Sequence, residues 1–185
     1  MMGFFPSGLR RALIAAAVPV ALAGCSALGG KKEAPPCPEV NVLADTSKFI
    51  TYRPGPGRDM TDMVLQGEIV GYKGSCTYDK DEKKMVMTLQ VSMTFTRGPA
   101  APGDDARAEY YVAIPAYYPK PEAKQTFGVQ FSFQPPADHV RITDNEVELT
   151  LPLKDPAKDL ANRDIYIGFQ LTPEELELNR KDKQR

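Results

Sequence analysis

Residues 85–95 read Met-Val-Met-Thr-Leu-Gln-Val-Ser-Met-Thr-Phe, and their alternation decides the fold class. Met85, Met87, Leu89, Val91, Met93 and Phe95 fall on one face of an extended chain, with Thr88, Gln90, Ser92 and Thr94 on the other. Successive side chains of a strand point to opposite faces, so a period of two marks a strand with one buried and one wet face. Three further segments repeat the pattern: Phe127, Val129, Phe131 and Phe133; Val147, Leu149, Leu151 and Leu153; Ile165, Ile167, Phe169 and Leu171. One wet face per strand is the habit of antiparallel sheets, because parallel sheets are covered on both sides.

Less regular strands are expected at 49–52, 63–72, 75–78 and 108–114, with Gly67, Gly71 and Gly74 marking a bulge or bend. Turn chemistry separates the segments: Pro and Gly at 53–57, Asp and Lys at 79–83, Gly, Pro and Asp at 98–104, Pro119 and Pro121, and Asp144-Asn145. Short strands with such punctuation predict an all-β domain, an antiparallel two-sheet sandwich, broadly immunoglobulin-like, in preference to a closed barrel. A short C-terminal helix is expected after Thr172, with Pro173 at its first position and Glu175 completing a capping box. Such a helix is stable only if Leu176 or Leu178 packs on the sandwich.

The N-terminus has a different character. Arg10 and Arg11 precede an almost wholly apolar run at 12–23, and no acidic residue occurs before Glu33. The run has the length of a signal-peptide core and falls short of the roughly 20 residues of a spanning helix, the alternative reading. It ends in Leu22-Ala23-Gly24-Cys25. That tetrapeptide, in that position, resembles the lipobox of bacterial lipoproteins. The resemblance covers the leader and tether alone. It implies removal of residues 1–24 by cleavage between Gly24 and Cys25. It also implies a diacylglyceryl thioether on Cys25 and an acylated amine in Gram-negative species. Ser26 stands where an aspartate commonly retains such proteins in the inner membrane, so the resemblance implies the inner leaflet of the outer membrane, facing the periplasm. Two or three acyl chains make an effectively permanent anchor in the bilayer. Residues 25–36, rich in small, Gly, Pro and Lys residues, read as a lipidated flexible tether, and 37–185 as the folded domain. Lys31 and Lys32 are either solvated or set against anionic headgroups.

Without Arg10 and Arg11 the chain carries 21 basic against 24 acidic residues, a net charge of −3. That balance argues against nucleic acid as a partner. Of the three cysteines, setting Cys25 aside leaves Cys37 and Cys76. In an oxidising compartment a leftover pair is expected to bridge. A nucleophilic or metal-binding cysteine, the other reading, lacks histidine partners, since His139 is the only one in the chain. His139 reads as a surface residue whose neighbour Asp138 would point to the opposite face of an extended chain. Asp79, Asp81 and Glu82 share a tight turn with lysines; calcium is the alternative occupant, without a recognised loop spacing. Asp104, Asp105, Asp144 and Glu146 read as loop and strand-edge carboxylates. Gly29-Gly30 and Gly55-Pro56-Gly57 precede no helix and so do not resemble phosphate loops.

Among the aromatic residues, Tyr110 alternates with Val112 and Ile114, which leaves Tyr111 on the other face of its strand. Tyr117 and Tyr118 lie between Pro115 and Pro119. Tyr111, Tyr117 and Tyr118 are therefore a candidate binding surface, tyrosine offering area and a hydroxyl at small entropic cost, with buried packing as the alternative. The basic tail from Asn179 complements a helix dipole or contacts a polyanion. No catalytic residue, metal site or cofactor emerges. The expected function is a non-catalytic binding or envelope-assembly module whose partner is an envelope protein or polymer. An envelope hydrolase using dispersed carboxylates is the alternative.

Overall fold

The period-two segments become strands of two sheets in the computed structural model, which describes residues 34–153, 155–160 and 163–182. Gly24 and Cys25, with the cleavage and lipid attachment expected there, lie outside the described residues. In chain order the elements are β1 (Val40–Val42), β2 (Lys48–Tyr52), β3 (Met63–Asp79), β4 (Lys84–Arg97), β5 (Asp105–Ala113), β6 (Lys124–Ser132) and β7 (His139–Pro152). A short helix α1 (Pro156–Leu160), strand β8 (Ile165–Phe169) and helix α2 (Pro173–Asp182) follow. One sheet has the order β1-β8-β5-β6 and the other β2-β3-β4-β7. Consecutive strands β4 and β5 thus lie in different sheets, and each pairs with a later strand, β7 and β8 respectively.

The pairing is largely antiparallel, with one exception that corrects a wholly antiparallel expectation. β1 runs parallel to β8, Val40 opposite Ile165 and Val42 opposite Ile167. Its three residues carry too little alternation to announce a strand. The segments expected at 63–72 and 75–78 are one long strand, β3, with an irregularity between Ile69 and Gly71. One extra residue there reverses which side chains face inward. Ile69 sits opposite Met93, whereas beyond the bulge Tyr72, Cys76 and Tyr78 sit opposite Val91, Met87 and Met85. Gly67 serves another purpose: a Cβ there would lie 2.4 Å from the Phe49 ring and 2.9 Å from that of Phe95. Likewise Asp144-Asn145 is no turn but the site of a register shift within the single strand β7. That shift places Asp144 opposite Val91, on the core face, where it accepts a 2.8 Å hydrogen bond from the Tyr110 hydroxyl of the other sheet.

Between the sheets lies the predicted apolar set. Every apolar residue of β4 from Met85 to Phe95 on the inward face is at most 2% exposed. Phe95 is fully buried, stacks on Phe131 of the opposite sheet at 4.2 Å between centroids, and meets Phe169 at 6.0 Å. Cys37, just before β1, is disulfide-bonded to Cys76 of β3, with Cα atoms 5.8 Å apart. The Tyr72 hydroxyl adds a 2.6 Å bond to the Val40 carbonyl. Together they stitch the β1 edge of one sheet to the exposed half of β3 in the other. α2 begins with the expected capping box: Glu175 N–H donates to Thr172 Oγ1 and Thr172 N–H to Glu175 Oε2. Leu176 and Leu178 are half-buried. Asn179, read from sequence as the start of a basic tail, is instead buried, and its amide donates to the carbonyls of Asp45 and Lys48. A buried amide needs such acceptors, and this one pins the helix across β2.

Candidate functional site

Two small residues on an inward face open a cleft. Ala106 and Ala108 occupy core positions of β5, where its pairing partner β6 places Val129 and Phe131. β8 pairs with β5 only from Tyr110 to Ala113, and the chain then leaves the sheet at Thr172, where Pro173 starts α2. Beside Asp105–Glu109 the sheet therefore has no strand in line with β8 among the described residues. The space is bounded across the sandwich by β2. It holds a cavity of about 230 Å³ lined by Phe49, Leu65, Phe133 and Ala106, with Arg97 and Arg107 among its polar groups. A second hollow of about 390 Å³ shares Phe49, Thr51 and Arg107 and continues toward Leu171 and Glu175.

Electrostatically the cleft is mixed. Arg97 reaches Asp104 at 3.3 Å through one terminal nitrogen, while its Nε is buried with no hydrogen-bond partner among the described residues. Asp105 accepts from the Ser132 hydroxyl, and Glu175 accepts from Thr51 while capping α2. These carboxylates hold the rim in place. No group of three or more His, Cys, Asp and Glu side chains able to hold a metal ion occurs among the described residues.

The cleft lies at the end of the sandwich formed by the loops at 53–62, 98–104 and 133–138 and by the start of α2. Cys37, the turn at 79–84, residues 114–123 and α1 form the other end. Chain direction enforces this: β3 runs from Met63 at the cleft end to Asp79 at the cysteine end, and Cys76 is close to that turn.

The residues singled out in the sequence are dispersed. Tyr111 is 8% exposed: its hydroxyl bonds Thr46 Oγ1 at 3.0 Å and the Lys124 ammonium lies over its ring. The segment joining β1 to β2 covers it, and Gly168 makes room, since a Cβ there would lie 1.9 Å from Thr46 Oγ1. Tyr117 is half-buried under Arg163, which both stacks on it and bonds its hydroxyl. Tyr118 is 83% exposed. His139 opens β7 on the surface, and its Nδ1 lies 3.2 Å from Asp138 Oδ1 rather than pointing away from it. The imidazole contact, with the backbone, holds the Asp138 carboxyl below its ordinary pKa. Asp79 accepts from the N–H groups of Asp81 and Glu82, which lowers its own pKa and closes the β3–β4 turn. Replacing His139 by Ala is expected to change stability by no more than about 0.5 kcal/mol, as at ordinary surface sites. A urea titration checks this, and a larger loss would assign the pair a structural load.

Arg97, Arg107 and the open half of β5 carry no sequence signal, because the cleft depends on where β8 stops beside β5. The arrangement defines a two-sheet β-domain with a cleft at one end. No protein-family model matches the chain, and no curated protein or solved structure matches it either.

Proposed function

We propose that this chain is a lipid-anchored, non-catalytic binding module of the bacterial cell envelope. In this reading it is cleaved before Cys25, held through that residue in the outer membrane, and faces the periplasm. The fold is read as broadly immunoglobulin-like because β4–β7 and β5–β8 interlock across the two sheets. It departs from antibody domains in its disulfide, which joins sheet edges, and in having no tryptophan. One observation carries the functional reading: the described chain begins beside Cys37 at one end of the sandwich, and the cleft opens at the other. A domain tethered through its N-terminus would turn the cleft away from the membrane, toward a partner protein or envelope polymer. The hydrolase alternative asks for two carboxylates facing each other across a cleft, whereas Asp105 and Glu175 are held by Ser132, Thr51 and Thr172.

Two measurements test the reading. Cys25→Ala is expected to lose all incorporation of a fatty-acid analogue and to leave the precursor unprocessed; persistent label on this variant would refute the anchor. A photo-crosslinker in place of Pro102, at the cleft, is expected to capture a partner in cells. The same group in place of Lys80, at the other end, is expected to capture none. Equal capture at both positions would remove the cleft from the function.

A further inference from the structure

The cleft is bounded on one side by main chain, and the parity of β5 says which atoms face it. Gln170 N–H donates to the Glu109 carbonyl, so odd-numbered residues of β5 direct their N–H and C=O toward β8. Phe133 N–H donates to the Asp104 carbonyl, so even-numbered residues face β6. The N–H and C=O of Arg107 and of Asp105 therefore point into the space where β8 has already turned away. A row of unpaired strand groups is a template for another strand. The adjoining cavity supplies apolar walls from Phe49, Leu65 and Phe133. Arg97, on the same face of β4 as Phe95, lines it too, and its Nε is a buried N–H with no acceptor among the described residues.

We propose that an extended segment of a partner polypeptide adds to the sheet beside Asp105–Ala108, continuing the line of β8. It seats an apolar side chain in the cavity and an acidic group against Arg97. The proposal rests on the binding reading above and names the class of partner. Hydrogen-bond complementarity decides between occupants: an apolar carboxylic acid would satisfy the walls and Arg97 but leave the strand groups of Asp105 and Arg107 unmatched. An extended peptide matches all three. The seat is also continuous with existing pairing, because a strand placed there takes up the β5–β8 register where Gln170 leaves it.

The test is a display selection of short random peptides on the full chain in detergent, followed by fluorescence anisotropy on the peptides recovered. The selected peptides are expected to share an acidic residue near an aliphatic one. N-methylation of the amides facing β5 is expected to weaken them about tenfold or more, the worth of a hydrogen bond or two. Arg107→Pro removes an N–H that the β5–β6 ladder does not use, at a position where a strand tolerates proline, and is expected to weaken binding as much. Arg107→Gln keeps the N–H and is expected to leave binding within about twofold. Should Arg107→Pro fail to fold, the N-methylated peptides decide, since they leave the protein untouched. No enrichment, or peptides indifferent to N-methylation, would overturn strand addition. Saturable binding of decanoate without peptide enrichment would also overturn it, and would make the cavity an acyl-carboxylate site. The anchored-binder reading falls separately, through an unlabelled Cys25 or an empty crosslink at Pro102.

Discussion

Reducing the Cys37–Cys76 bond, or replacing both cysteines by serine, is expected to lower the melting temperature of a soluble form beginning at Ser26 by roughly 10 °C. The bond spans 39 residues of sequence. For a closed loop of that length the chain-entropy model gives a stabilisation of about 4 kcal/mol at 25 °C. Each kcal/mol moves the transition of a domain of this size by about 2–4 °C. The loss has a location as well as a size. β1 is a three-residue edge strand, held by parallel pairing to β8, by the Tyr72 hydroxyl on Val40, and by the disulfide. Without the covalent link the first segment should open locally before the sandwich does, and limited proteolysis should cut it first. Melting with and without reductant, and the order of proteolytic fragments, are the measurements. Two free thiols in denatured, non-reduced protein exported to the periplasm would sink the expectation.

Phe95→Ala is expected to cost about 3–5 kcal/mol, the range for removing a buried aromatic ring from a core. That is a large share of the ~5–15 kcal/mol that holds a typical domain folded. Phe95 is fully buried and touches rings from both sheets: Phe49 in its own, Phe131 and Phe169 in the other. Its removal leaves a void and also ends the stacked contact that joins the sheets near the cleft. Phe95→Leu, which keeps much of the volume, should cost less than half as much. Urea denaturation of both variants measures the difference. A loss below about 1 kcal/mol for the alanine variant would show that the sheets are held together elsewhere.

Local alternation alone settles which residues face inward along β4 and β8, most of β6, and β7 beyond its bulge. Period-two alternation needs no tertiary information, because a pleated backbone forces neighbours to opposite faces. The sequence also specifies the cap of α2, a contact between residues three apart, and the pairing of Cys37 with Cys76, which followed from elimination. The two bulges were only half legible. Gly71 lies at one of them, but Gly67 proved to be a concession to two aromatic rings, and Asp144-Asn145 looked like a turn because turns and bulges use the same residues.

Where strands stop relative to their neighbours depends instead on pairing between segments far apart in the chain. β1 is too short to show a period and exists because β8 offers it an edge. Tyr111 lost its place on a candidate surface to the segment at 43–47, which folds over it from far away in sequence. Asn179 became a buried anchor because the Asp45 carbonyl of the β1–β2 connection and the Lys48 carbonyl at the start of β2 converge on it. The cleft has the same origin. Alanines at 106 and 108 are ordinary strand residues until β8 ends before reaching them and β2 crosses opposite. A gap of that kind belongs to the difference in length between strands brought together from opposite ends of the chain, and local periodicity carries no record of it.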